Sequence, residues 1–209
     1  MKKRMLIGMF LAAMILFTAC SSWPDNGGLS GDQADSGESE DSASDIPPEE
    51  RDDLGAVETQ TSLHRNFRLV RPADWSEFEA GPSSYLYTPQ DSNPTDPFSE
   101  KITVVVSSLP EGSEVSYQQL IDQGIEASKE EMPDIKLIEE TENISIGGRE
   151  GRLARFRGTL KNSMMEFNQA FIMEGSRLYT LTYTCPEDSC DNYNVFNVMR
   201  NSMEIYDAE

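Results

Sequence analysis

The sequence predicts an α+β domain with an antiparallel sheet, and three observations lead to this fold class. Residues 54–209 provide 156 residues, enough for one domain with a sizeable core. Alternating or β-branched apolar segments recur along this stretch, whereas two segments show the spacing of amphipathic helices. The strands after the first helix follow one another through short turns, so we expect antiparallel neighbours covered by helices.

Three early strands are predicted from their side-chain patterns. Phe67–Val70 alternates apolar and basic side chains, as a half-buried strand does. Ser84–Thr88 predicts a second short strand, and the β-branched run Lys101–Ser108 is typical of a central strand. Residues 89–97, rich in Pro, Asp and Asn, predict the loop before that central strand.

Helical spacing begins after this strand. Ser116 with Gln119 forms a capping-box signature, and Pro133 predicts the end of a helix over residues 116–132. One face of this helix carries Tyr117, Leu120, Ile121, Gly124, Ile125 and Ser128.

The remaining elements are strands joined by glycine turns, followed by a second helix. Gly147–Gly151 predicts a hairpin turn in which glycine supplies positive φ. A C-terminal amphipathic helix is predicted to begin near Asp191. The extended segments predicted here are Lys136–Ile146, Arg152–Leu160, Met165–Met173, Arg177–Thr184 and, after the helix, Met203–Tyr206.

The amino terminus has the charge and hydropathy pattern of an export signal. Basic residues 2–4 precede an uncharged, largely apolar run over residues 5–17, which is shorter than the roughly 20 residues that span a bilayer. Thr-Ala-Cys follows directly, and the pattern resembles a bacterial lipoprotein signal peptide with its lipobox. The resemblance implies diacylglycerol attachment at Cys20 and cleavage after Ala19. An ordinary secretory signal with an incidental cysteine, or a retained membrane helix, is the alternative.

Three segments are expected along the chain. Residues 1–19 are the signal peptide, residues 20–60 carry the lipidated cysteine and a disordered acidic linker, and residues 61–209 form the globular domain. Ten carboxylates against one arginine lie between positions 32 and 53, too polar a segment to offset its ordering entropy. A calcium-binding tract is the alternative, although the segment lacks the D-x-[DN]-x-[DN]-G pattern.

The charge of the chain excludes some partners. The formal net charge is −20, and residues 54–209 alone carry 26 acidic against 13 basic residues. This charge disfavours nucleic acid and anionic lipid headgroups as partners, because both require a basic surface.

Cys185 and Cys190 remain once Cys20 is assigned to lipid. They bracket a turn-forming Pro-Glu-Asp-Ser segment, and an exported protein is in an oxidising compartment, so we expect a disulfide between them. Two free thiols are the alternative. A metal site is less favoured because the spacing is not C-x-x-C.

Arg155 and Arg157 are candidate anion-binding residues. They alternate with apolar neighbours and so share one face of a strand. Guanidinium groups bind carboxylates and other anions bidentately, but pairing with the domain's own carboxylates is the favoured alternative.

Catalysis is not expected from the sequence. The chain has one histidine, His64, and no G-x-S-x-G motif, and we expect His64 to be a surface residue near the start of a strand. No cofactor and no metal site are predicted.

Several motifs in order resemble PsbP-type domains. These motifs are Arg71–Trp75 (RPADW), Ile146–Gly151 (IGGREG), Leu178–Tyr183 (LYTLTY) and Asn201–Ile205 (NSMEI). The resemblance covers about residues 62–206. It implies the α/β/α sandwich shared by PsbP proteins and DcrB-like envelope lipoproteins, with a binding or assembly role and no reaction.

The expected function is therefore a lipid-anchored envelope protein that binds an envelope protein partner through a non-catalytic domain. The anchor implies the outer membrane in a two-membrane bacterium, and otherwise the outer face of the plasma membrane. The alternatives are a lipoprotein that binds divalent cations or a small ligand, and a photosystem accessory protein if the source is photosynthetic.

Overall fold

A seven-stranded antiparallel sheet forms the centre of the structure. The computed structural model describes residues 57–110 and 114–206. The predicted signal peptide, Cys20 and nearly all of the predicted linker lie outside the described residues. The elements are β1 (Thr59–Leu63), β2 (Phe67–Pro72), β3 (Trp75–Gly81), β4 (Ser84–Pro89), β5 (Lys101–Ser108), α1 (Tyr117–Ser128), β6 (Lys136–Ile146), β7 (Arg149–Leu160), β8 (Ser163–Glu174), β9 (Arg177–Pro186), α2 (Tyr193–Asn201) and β10 (Glu204–Ile205).

The strands form two sheets. The large sheet has the order β3-β4-β5-β9-β8-β7-β6, and every neighbouring pair in it is antiparallel. A small sheet has the order β1-β2-β10 and is also antiparallel. The predicted α+β class with a central antiparallel sheet is confirmed.

Each face of the large sheet is covered by different elements. On one face, Leu120 and Ile121 of α1 join a cluster with Phe156 of β7. On the other face, α2 and the small sheet join a second cluster, to which Phe196 and Phe67 belong. This arrangement is the expected α/β/α sandwich. Neither helix in the described part of the chain combines the length and apolar content that crossing a bilayer requires.

The capping box predicted for α1 is present. The Ser116 Oγ accepts a hydrogen bond from the Gln119 N–H (3.2 Å), and the Gln119 Oε1 accepts one from the Ser116 N–H (3.0 Å). The helix ends at Ser128, four residues before the predicted end. Pro133 disfavours the helical conformation of the residue before it, so the chain passes through turns before reaching the proline.

Two strands were not predicted. β3 is an edge strand whose polar residues and bulge near Glu79 weaken the alternation on which the prediction depends. β1 buries only Ser62, so it lacks an apolar pattern altogether. β1 also begins at Thr59, within the segment predicted as linker. β5 and β6 have the predicted bounds, and β10 is one residue shorter than predicted at each end. The other predicted strands are longer than expected by one to three residues.

The β6–β7 hairpin packs against the chain that precedes β10. Gly147 has a φ of +53°, in the left-handed region that the predicted turn requires. A Cβ on Gly147 would lie 1.6 Å from the carbonyl oxygen of Met203. Gly175, in the β8–β9 turn, has nearly the same φ of +56°, but a Cβ there would meet no atom within 4 Å.

Alanine substitutions at these two glycines distinguish two contributions to stability: the cost of a left-handed backbone and the cost of a close contact. We expect Gly175→Ala to lower the free energy of unfolding by about 1–2 kcal/mol, the cost of a left-handed alanine. Gly147→Ala should lower it by about 2 kcal/mol more, because the backbone must also move away from Met203. Urea unfolding measures both values, and equal losses would show that the hairpin does not contact Met203.

Candidate functional site

A pocket of about 280 Å³ lies on the face of the large sheet that α2 covers. β7 and β8 supply its floor, and β6, the Cys185–Cys190 loop and the first residue of α2 supply its walls. The lining includes Glu139, Leu153, Arg155, Glu166, Asn168 and Tyr193. We call this concavity the Arg155 pocket.

Strand alternation brings the charged residues of the pocket together. In the β7–β8 pairing, Arg155 lies opposite Asn168, and Arg157 lies opposite Glu166. Residues two apart on a strand, and residues directly opposite on its neighbour, project from the same face of the sheet. The prediction that Arg155 and Arg157 share a face is thus met, and Glu166 and Asn168 are on that face with them.

Glu166 is the carboxylate between the two arginines. Its side chain is 10% exposed, and its oxygens lie 2.8 Å from Arg155 Nε and 3.1 Å from Arg155 Nη2. Arg157 Nη2 is 3.7 Å from the same carboxylate, and Arg157 Nη1 is 2.8 Å from Glu187. The hydrogen bond that the Arg155 guanidinium donates to Glu166 raises the pKa of that guanidinium. Both arginines are therefore paired with carboxylates of the domain. This is the alternative to anion binding that the sequence analysis favoured.

The outer side of the pocket is more loosely arranged. The closest oxygen of Glu139 is 3.8 Å from Arg155 Nη1, and the Glu139 side chain is 63% exposed. This distance is too long for a hydrogen bond, so the Glu139 carboxylate faces solvent. No group of three or more His, Cys, Asp or Glu side chains within residues 57–110 and 114–206 is arranged to hold a metal ion.

The predicted disulfide forms one wall of the pocket. Cys185 and Cys190 are bonded, with their Cα atoms 5.2 Å apart, and Cys190 lines the pocket. Next to it, Glu100 accepts hydrogen bonds from the backbone N–H groups of Asp191 (2.7 Å) and Asn192 (3.2 Å). Glu100 thereby satisfies donors at the start of α2. Sequence analysis did not identify this role, because Glu100 is about ninety positions away in the chain.

The prediction that His64 is a surface residue is wrong. Its side chain is 6% exposed, its Nε2 lies 2.6 Å from the Tyr87 Oη, and its ring centroid is 3.8 Å from that of Tyr85. The turn between β1 and β2 carries His64 over β4, so the imidazole is enclosed where the small sheet meets the large one. The sequence correctly placed His64 near the start of a strand. It did not predict that the small sheet packs on the large one and covers the imidazole.

His64 belongs to a polar network that also contains a serine and a carboxylate. Ser62 Oγ donates a hydrogen bond to Glu77 Oε2 (2.6 Å), and Glu77 Oε1 lies 3.3 Å from His64 Nε2. Arg71 Nε donates to Ser62 Oγ (2.9 Å). The serine thus bonds the carboxylate and the arginine rather than the imidazole, whereas a serine nucleophile needs the imidazole as its base. The arrangement fits a structural link between the two sheets.

Burial decides the protonation of this network. Desolvation lowers the pKa of His64, although Glu77 and Glu79 act in the opposite direction. Desolvation also raises the pKa of Tyr87 far above its usual value. At neutral pH, we therefore expect a neutral imidazole hydrogen-bonded to a neutral phenol.

Comparison with known proteins shows the fold. A scan against protein-family models matches no family, and a search of curated proteins finds no match. The solution structure of cyanobacterial PsbP (CyanoP) from Synechocystis is similar, with a TM-score of 0.56 and 14% identity over 73% of this chain and 95% of that chain. The domain has a PsbP-like fold. This result agrees with the motifs at Arg71–Trp75 and Asn201–Ile205.

Two further solved structures are similar to the chain. The Ran-binding protein Mog1p from Saccharomyces cerevisiae has a TM-score of 0.53 and 11% identity, over 73% of this chain and 97% of that chain. LpqN, described as involved in cell envelope biogenesis of Mycobacterium tuberculosis, has a TM-score of 0.48 and 11% identity, over 73% of this chain and 92% of that chain.

The burial of His64 predicts a dependence of stability on pH. Because its pKa is lower in the folded than in the unfolded protein, the unfolded chain binds more protons between the two values. The free energy of unfolding should therefore fall as the pH drops from above about 6.5, the unfolded value, through the folded pKa. Urea unfolding at pH 7.5 and 5.5 should show a smaller loss for His64→Gln than for the wild type. Identical losses in the two proteins would contradict the buried neutral imidazole.

Proposed function

We propose that this protein is a lipid-anchored protein of the bacterial cell envelope whose PsbP-like domain binds a protein partner without catalysis. One sequence observation carries the location: the uncharged run over residues 5–17 leads directly into Thr18-Ala19-Cys20. Acyl chains on Cys20 would hold the mature protein to a membrane, since each buried methylene contributes about 0.8 kcal/mol and several chains together anchor stably.

The segment after the cysteine supports a spacer between membrane and domain. Its carboxylates repel one another and are repelled by the acidic domain, which favours an extended separation. The proposal assigns the residues between Cys20 and β1 to spanning the headgroup region. In this proposal the domain is presented to partners on the extracytoplasmic side.

Partner binding is supported by the fold and by the pocket. Mog1p, which has the same fold, is described as a Ran-binding protein. The Arg155 pocket offers a concave, mixed polar and aromatic surface beside α2. Within it, the Arg155–Glu166 pair fixes the shape of the floor, and a surface of fixed shape is suited to recognition.

A second candidate function is the binding of a small ligand in the same pocket. Its volume of about 280 Å³ lies just below the roughly 300–1,000 Å³ of typical ligand pockets, which favours a ligand smaller than a drug molecule. Calorimetric titration distinguishes the candidates, because a small ligand gives saturable heat without any partner protein.

Substitution at the lipidation site tests the anchor. We expect Cys20→Ala to abolish acylation and to move the protein from the membrane to the soluble fraction, or to leave it as an unprocessed precursor. Metabolic labelling with a fatty-acid analogue and fractionation of cells measure both effects. The matched control is Cys190→Ala, which removes another cysteine and should leave labelling unchanged. A Cys20→Ala variant that matures and remains on membranes like the wild type would overturn the proposal.

A further inference from the structure

We propose that the Arg155 pocket receives a lysine or arginine side chain, so that a basic segment of the partner docks between β6 and the start of α2. This inference rests on the proposed function, because it presupposes that the domain binds a protein. It adds the place of contact and the chemistry of the partner. The observations that carry it are an amide on the pocket floor, an exposed carboxylate and an exposed aromatic ring in one concavity.

The floor of the pocket offers an acceptor to a cationic group. Asn168 is 2% exposed and lines the pocket, and its Nδ2 donates a hydrogen bond to Glu166 Oε1 (3.3 Å). Its Oδ1 has no donor among the residues that the structure describes. Because Asn168 lines the pocket, this oxygen is available to accept a hydrogen bond from a cationic group that enters it.

The positive charge on the floor does not oppose this assignment. Arg155 is held by two contacts of 2.8 and 3.1 Å to Glu166, which neutralises it locally. An incoming anion would have to compete with that carboxylate for the guanidinium. An incoming cation instead meets Glu139, whose exposed carboxylate is only loosely associated with Arg155.

The surroundings of the pocket are acidic. Glu187, Asp188 and Asp191 are exposed in the segment that contains the disulfide and leads into α2. This segment also carries the lining residue Cys190 and leads to the lining residue Tyr193, and the whole domain is strongly acidic. Such a potential accelerates the approach of a basic partner and repels acidic ones.

Apolar surface in the pocket matches the stem of a long basic side chain. Tyr193 is 37% exposed, and Leu153 lies beside it in the lining. Lysine and arginine bury their methylene stems on apolar surface, and their charged heads are attracted to aromatic faces. A volume of about 280 Å³ accommodates one such side chain with its head at Glu139 or Asn168.

Zero-length crosslinking tests the contact directly. The full-length chain in a neutral detergent is mixed with a short peptide rich in lysine and a water-soluble carbodiimide. The carbodiimide activates a carboxylate, the lysine amine attacks it, an amide bond forms, and the reagent leaves as a urea. Mass spectrometry then reports which carboxylates are coupled. We expect coupling at Glu139 to exceed coupling at Glu130, an exposed carboxylate just after α1 on the opposite side of the sheet, by about fivefold or more.

A matched pair of variants gives the second readout. Tyr193→Ala should reduce coupling at Glu139 about threefold, since the aromatic contact is lost. Leu63→Ala removes a more exposed apolar side chain, on the small sheet, and should leave the coupling unchanged. Equal coupling of the peptide to Glu139 and Glu130 would overturn the inference. It would also be overturned if Tyr193→Ala left the coupling at Glu139 unchanged.

The two proposals fail in different ways. If Glu139 is not preferred while Cys20→Ala still releases the protein from membranes, the docking site is wrong and the proposed function stands. If Cys20→Ala matures and still remains on membranes like the wild type, the proposed function is wrong whatever the peptide does.

Discussion

Side-chain alternation along β7 and β8 is the constraint on which the rest of the structure depends. Both faces of the large sheet are covered, so every second residue must suit a different environment. Phe156 enters the cluster under α1, whereas its neighbours Arg155 and Arg157 project to the other face and meet Glu166. A register slip of one residue would exchange these environments and bury guanidinium groups beneath α1. The same alternation therefore positions the core and the candidate pocket.

A second group of contacts joins the two sheets. Phe67 of the small sheet enters the core on the α2 side, and the neighbouring His64 bonds Tyr87 of the large sheet. Hydrophobic burial supplies most of the stabilisation in such an interface, and the polar network fixes its geometry because each buried group needs its partner. The PsbP-like sandwich thus places acidic and aromatic residues at one end of the sheet and a structural histidine at the other edge.

Local patterns made much of the fold predictable, and long-range pairing limited the rest. The β-branched run of β5 and the capping box of α1 carry their signals within a few residues, and both predictions are confirmed. β1 and β3 were missed because polar residues interrupt their alternation, and their stability comes from neighbours on other strands. At the site, the disulfide between Cys185 and Cys190 was predictable because the two cysteines are close in sequence and bracket a turn. Glu166 was not assigned, because its position opposite Arg157 depends on the β7–β8 register.

A double-mutant cycle between Arg155 and Glu166 tests the central claim most directly. The unfolding free energies of Arg155→Met, Glu166→Gln and the double variant give the coupling between the two side chains. If the β7–β8 register places them together on a half-buried face, the coupling should be about 1 kcal/mol. A parallel cycle at the exposed Glu126–Lys129 pair should give only a few tenths of a kcal/mol. Losses that simply add, with no coupling, would contradict the register and the pocket built on it.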